Sequence, residues 1–193
     1  MLSIPDAGPG AARCRGDYSR VTACFRLLFI GLLLLPAFGR AQSDFTDQVE
    51  TRLFVLVNEL RAGHGSKPLE REARLDATAD YFARYMASAD NLDHRADGST
   101  PAMRVKQRGY GYCVIAENIA YEYSSRGFTP EALARNFIEG WQESPTHRAN
   151  ILDPMVTQTG IGVARNAKNE YYAVQLFGRP LMPGAKKGAA CPR

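Results

Sequence analysis

Two of the three histidines in this 193-residue chain stand where their neighbours could give them chemistry to do. Residues 141–154 read W-Q-E-S-P-T-H-R-A-N-I-L-D-P. Ser144 is a helix-capping residue, and Pro145 suits a first helical position, where no N–H is required. His147 then falls in the first turn, with Ile151 one turn further along the same face. An imidazole is thereby placed on the core-facing side of a short helix. His94 closes a second segment, N-L-D-H, in a polar loop. Glu117 lies in a third, A-E-N-I-A, between Ile115 and Ile119 on one face of an expected strand. A carboxylate turned into an apolar layer is costly unless it is paired or hydrogen-bonded. His94 and His147 are its expected partners. Such a His/Glu cluster can bind a divalent cation or move a proton, or simply tie a sheet to a helix.

The other polar residues read more plainly. Glu143 either joins the cluster or sits on the solvated end of its helix. Asp93 and Asp97 read as loop solvation, and His64, in A-G-H-G-S, as an exposed turn. Asn118 and Asn150 suit local backbone bonding. There is no H-E-x-x-H and no G-x-S-x-G, so neither a zincin motif nor a serine nucleophile elbow is present. Gly160 and Gly162 flank Ile161 without a following phosphate-binding helix.

The elements that would position these residues emerge from periodicity. Val49, Leu53, Leu56, Val57 and Leu60 mark one helical face, and Leu75, Ala79, Phe82, Ala83 and Met86 another. Thr100-Pro101 opens a short helix, and Thr129-Pro130 a longer one with Leu133, Phe137 and Trp141 inward. Residues 113–123, 159–164 and 171–177 read as strands, the last two joined by a polar turn. The third is apolar on both faces, as a strand covered on both sides would be. Helices first, then strands interleaved with a helical block, imply an α+β domain with a small sheet between helical layers.

Residues 1–41 differ from the rest. They hold five arginines against two aspartates, then an apolar run over 27–38 and the small-x-small site Gly39-Arg40-Ala41. This is the pattern of a signal peptide cleaved after Ala41. The leader carries three of the chain's four net positive charges, so the mature domain, near +1, has no electrostatic case for nucleic acid. No later apolar run is long enough to span a membrane. Residues 42–48 read as a flexible lead and 180–193 as a Gly/Pro/Lys-rich tail, leaving the domain at 49–179. Export makes a disulfide between Cys113 and Cys191 the expected state of the two cysteines that survive cleavage.

Five segments in order carry a resemblance: S-A-D-N-L-D-H at 88–94, A-E-N-I-A at 116–120, W-Q-E-S-P-T-H-R-A-N-I-L at 141–152, G-I-G-V at 160–163 and Y-A-V-Q-L-F at 172–177. Together they resemble a bacterial CAP (SCP) domain, of the superfamily that includes cysteine-rich secretory proteins, venom allergens and pathogenesis-related proteins. The resemblance implies an α-β-α sandwich with a small, mainly antiparallel sheet and an open cleft. It carries His94, Glu117 and His147 onto the family's cleft cluster. The family's second acid would fall at Ser144, with Glu143 one position early, so a tetrad reduced to three is expected. The resemblance and the leader together imply an exported protein, periplasmic or extracellular. Its cleft would bind a lipid, glycan or peptide, assisted by a zinc-like divalent cation on His94 and His147. A metal-dependent hydrolase with Glu117 as general base and His147 beside it is the alternative. A purely structural cluster is the third reading. Lacking a nucleophile or a complete metal motif, the chain reads as a binding module rather than an enzyme.

Overall fold

The computed structural model describes residues 37–181, with side chains from residue 44 onward. In chain order the elements are α1 (Ala37–Gly63), β1 (Glu70–Arg71), α2 (Ala73–Ala89), α3 (Pro101–Gln107), β2 (Tyr112–Tyr123), α4 (Pro130–Glu143), α5 (Pro145–Leu152), β3 (Gln158–Arg165) and β4 (Glu170–Pro180). The sheet order is β1-β3-β4-β2. β2 and β3 run antiparallel to β4, while the two-residue β1 pairs parallel with β3.

The sheet is covered on both faces, which makes an α-β-α sandwich. On one face α2 buries all five of its expected core residues, Leu75 through Met86, against Ile119, Tyr172, Val174 and Leu176. On the other, α1, α4 and α5 bring Val49, Leu53, Val57, Leu133, Phe137, Trp141 and Ile151 onto Ile161, Ala173 and Phe177. β4 is buried continuously from Tyr171 to Gly178, as its two apolar faces require. The glycines of G-I-G have a packing role. A Cβ on Gly160 would fall 2.1 Å from the Leu75 carbonyl carbon, and one on Gly162 2.2 Å from the Asp80 nitrogen. Only glycine lets β3 lie this close to the backbone of α2.

Three features differ from the expectations set by the sequence. Residues 42–48 are helical rather than a flexible lead, because the inward face of α1 extends one turn earlier. Phe45, one turn before Val49, packs on the Tyr171 ring at 5.6 Å, and Thr46 is buried. The strands run longer at their ends than their apolar residues alone suggest. β1 is a further strand, with two charged residues and no apolar signal. Nearly all of the expected leader, the tail after 181 and Cys191 lie outside the described residues. Among the described residues no helix is long and apolar enough to cross a membrane.

Candidate functional site

The site is organised by β2, whose side chains alternate between the two faces of the sheet. Ile115, Glu117 and Ile119 face α2 and α3, while Asn118 points to the side of α4 and α5. Consecutive residues thus serve opposite layers.

On the first side stands Glu117, its side chain 1 % exposed. The expected partner His94 is there, with its Nδ1 2.8 Å from Glu117 Oε1. The second partner is not His147 but Arg104, which no motif in the sequence singles out. Arg104 is completely buried on α3, whose start is fixed by the Thr100 hydroxyl accepting from the Met103 N–H. Its Nη2 donates to Glu117 Oε1 and Oε2 at 3.0 and 2.8 Å, and to the His94 carbonyl at 3.1 Å. Its Nη1 donates to Asp97 Oδ1 at 2.9 Å and to the Ser99 carbonyl at 3.0 Å. The guanidinium lies over the Phe82 ring, 3.4 Å from its centroid. One buried cation therefore joins α3, the loop that carries His94, and β2.

Asp97 is accordingly no solvated loop residue. Burial pushes its carboxyl up, but the Ser99 side-chain and backbone donors and Arg104 outweigh this and hold it below its ordinary value. Asp93 is exposed and folds the loop locally by accepting from the Arg95 N–H. His94 itself keeps 48 % of its side chain exposed. It is anchored on one side and open on the other.

On the second side, Trp141 Nε1 donates to the Ile119 carbonyl at 3.1 Å and pins the end of α4 to β2. The chain turns at Ser144, which occupies the N-cap position of α5 without making a side-chain cap bond. Pro145 takes the first position as expected. Asn118 Nδ2 donates to the His147 carbonyl at 3.1 Å, and Asn150 Nδ2 donates to Asn118 Oδ1 at 2.8 Å. At the far end of α5, buried Arg61 donates to the carbonyls of Ile151 and Asp153. The His147 backbone is thus held firmly while its half-buried ring is left to the site. Burial pushes the His147 imidazole below its ordinary value, and nearby His94 pushes it the same way.

The remaining residues fall outside this group. Glu143 is exposed at the end of α4, and no hydrogen bond or ion pair ties it to His94, Glu117 or His147. Cys113 is half-buried near the start of β2, and the expected pairing with Cys191 falls partly outside the described residues. His64 sits in an exposed turn, its ring nitrogen 2.9 Å from the Leu60 carbonyl. Tyr121 and Tyr172 form a cross-strand pair packed edge to face. Surface cavities of about 530 Å³ beside Arg52 and Glu131, and about 410 Å³ beside Asp90 and Lys168, do not include the two histidines.

The donor set fits a divalent cation only in part. Among the described residues no three His, Cys, Asp or Glu side chains converge as ligands. Glu117 is already engaged through both oxygens. Two imidazoles remain, so water would have to complete any coordination sphere.

A family model described as the cysteine-rich secretory protein family, CAP, matches residues 54–177. The Bacillus subtilis (strain 168) protein YkwD is 31% identical over 114 residues, which cover 58% of this chain and 41% of that protein. The chain therefore spans well under half the length of this relative. Among solved structures, an extracellular protein containing a SCP domain from Bacillus anthracis str. Ames matches with a TM-score of 0.61 at 22% identity, over 72% of this chain and 43% of that one. An outer surface protein from Borrelia burgdorferi matches with a TM-score of 0.59 at 20% identity, over 67% of this chain and 90% of that one. At these identities the structural likenesses speak for the fold.

Proposed function

As the chain belongs to the cysteine-rich secretory protein (CAP) family, we propose that it is an exported binding module whose His94–His147 pair accepts a divalent cation and, beside it, the polar group of a lipid, glycan or peptide ligand. The observation that carries this reading is the state of His94. One ring nitrogen is fixed on buried Glu117 while about half the side chain stays open, and the next residue of β2, Asn118, holds the His147 carbonyl. A cluster with only a structural task has no use for an anchored, exposed imidazole. A cation bound there would supply a Lewis-acidic contact for an anionic or carbonyl oxygen. The chain's own residues orient the ligand donors: Glu117 and Arg104 for His94, Asn118 and Asn150 for the His147 backbone.

The general-base alternative is weaker on the same geometry. Glu117 is buried, and both oxygens already accept from Arg104, so its carboxylate is committed to the arginine and withdrawn from an attacking water. Export rests on the leader at 1–41, and the Cys113–Cys191 bridge on the oxidising destination that this implies.

Calorimetric titration of the mature protein with zinc tests the proposal. Wild type should bind with modest affinity, because protein supplies two ligands and water the rest. Binding should weaken as pH falls, because protonated imidazole cannot ligate; His147, pushed below its ordinary 6.5, should be lost as a ligand only below that pH. His94→Ala and His147→Ala should each lose detectable binding. Equal binding by all three proteins would refute the cation reading.

A further inference from the structure

We infer that Arg104 is the positioning residue of this site: by holding Glu117 as an anion it fixes His94 as the Nδ1–H tautomer, so that Nε2 is the lone pair offered outward. This deepens the cation-binding reading above by naming which nitrogen of His94 is available, although the tautomer can be tested without any cation.

Donor and acceptor counts decide which nitrogen carries the proton. An ionised carboxylate only accepts hydrogen bonds. Glu117 is withdrawn from solvent, and the group that keeps it charged is Arg104, which donates to both oxygens. His94 Nδ1 lies 2.8 Å from the oxygen Oε1. With an anion opposite, that nitrogen must carry the proton. In the neutral ring Nε2 is then the acceptor, directed away from the buried carboxylate. Arg104 also controls where the ring stands, because it donates to the His94 carbonyl and to Asp97 and Ser99 further along the same loop. Its Nε has no partner among the described residues, and Phe82 covers the guanidinium. Its hydrogen bonds are thus spent on the loop and on Glu117, and none reaches toward a ligand. Among the described residues no such hydrogen bond reaches the His147 ring. Asn118 holds only its backbone, so His94 is the oriented member of the pair.

The test is a side-chain 15N spectrum of the metal-free protein at about pH 9, where unperturbed imidazoles are neutral. Wild type should show His94 with a protonated Nδ1 and an unprotonated Nε2. In Glu117→Gln the side-chain oxygen should stay at the Oε2 position, where Arg104 is the sole partner. The amide NH2 then faces His94 Nδ1, which must accept, so the tautomer should invert. In Arg104→Met Glu117, Asp97 and the His94 carbonyl lose their shared donor, so the His94 signals should shift and broaden. Arg104→Lys keeps a cation and should keep the tautomer. It cannot reach all of the arginine's acceptors, so the His94 signals should broaden. Should Arg104→Met fail to fold, the Lys and Gln variants decide. The inference is overturned if wild-type His94 is protonated on Nε2, if folded Glu117→Gln retains the wild-type tautomer, or if the folded Arg104 variants match wild type in both tautomer and linewidth.

Discussion

Glu50 and Glu117 are both carboxylates withdrawn from solvent, and only one of them has a buried cation of its own. Glu117, on β2, receives Arg104 through both oxygens. Glu50, on α1, accepts from the Val163 N–H of β3 at 3.0 Å, with Arg71 no nearer than 3.8 Å. Asp76 makes the matching contact one step along, accepting from the Ile161 N–H at 2.9 Å. These two carboxylates cover the edge of β3 beyond its short pairing with β1, where backbone donors would otherwise be bare. Burial pushes Glu50 up to about 7; the Val163 bond and Arg71 pull the other way and do not offset it. A carboxyl that only caps a strand edge serves as well neutral as charged, since its carbonyl oxygen still accepts. A carboxylate that must hold an imidazole proton has to stay ionised. Burial alone does not separate the two. The guanidinium does.

The largest expected effect comes from removing that guanidinium. Arg104→Met leaves Glu117 and Asp97 without their shared cation in a buried setting. Breaking a buried pair by deleting one partner costs about 3–5 kcal/mol. Chemical denaturation at pH 7 should show a loss of that order. A loss under about 1 kcal/mol would mean that Glu117 and Asp97 reorganise easily, and the contrast with Glu50 would collapse.

Next in size is the pH dependence contributed by Glu50. Its folded-state value lies above the ordinary 4.5, so folding favours the protonated form. The associated stability is fully present below about 4.5 and is lost as pH rises through about 7. The full span is about 3 kcal/mol at most, from the size of the shift. Glu50→Gln keeps an acceptor for Val163 and removes the charge. The variant should match wild type near pH 4 and exceed it increasingly up to about pH 8, by as much as about 3 kcal/mol. A constant difference between the two proteins across that range would show that Glu50 titrates normally despite its burial.

How much of this is legible in the sequence depends on the kind of signal. The core face of α2 comes from period alone, because five apolar residues at helical spacing have one way to be buried. Thr100-Pro101 and Thr129-Pro130 mark helix starts that the structure reproduces, since capping is local chemistry. Glu117 announces itself as an anion in an apolar strand face. Its principal partner does not. Arg104 sits in a seven-residue helix too short for a periodic signal, and an arginine near a helix end ordinarily reads as solvated. The one available clue is energetic, because a buried carboxylate calls for a cation. The two histidines offer themselves as partners first and hide that need. Asp97 reads as solvated for the same reason, its burial depending on Arg104. The two-residue β1 and the first turns of α1 carry too few apolar residues to register, though Phe45 one turn before Val49 is a hint. Glu50 gives no sign either: a single acid on an amphipathic helix looks exposed until the strand edge it faces is known.

The smallest expected effect sharpens the comparison most directly, because it repeats the arginine deletion at the other glutamate. Arg71 reaches Asp76 at 2.8 Å and Glu50 at 3.8 Å, with roughly a third of its side chain exposed. Exposed or half-exposed ion pairs of this kind contribute about 1 kcal/mol or less. Arg71→Met should therefore cost under about 1 kcal/mol at pH 7, against the several lost at Arg104. Its clearer signature should be electrostatic. Arg71 is a charge that pulls Glu50 down, so without it the Glu50 midpoint should rise further above about 7, visible as a displaced step in the stability–pH curve. Asp47 and Asp80, which also face Glu50 and push it up, remain in place and leave the direction unchanged. Were Arg71→Met to cost as much as Arg104→Met, Glu50 would be an ionised carboxylate dependent on its arginine. The two buried glutamates would then be held by the same means after all.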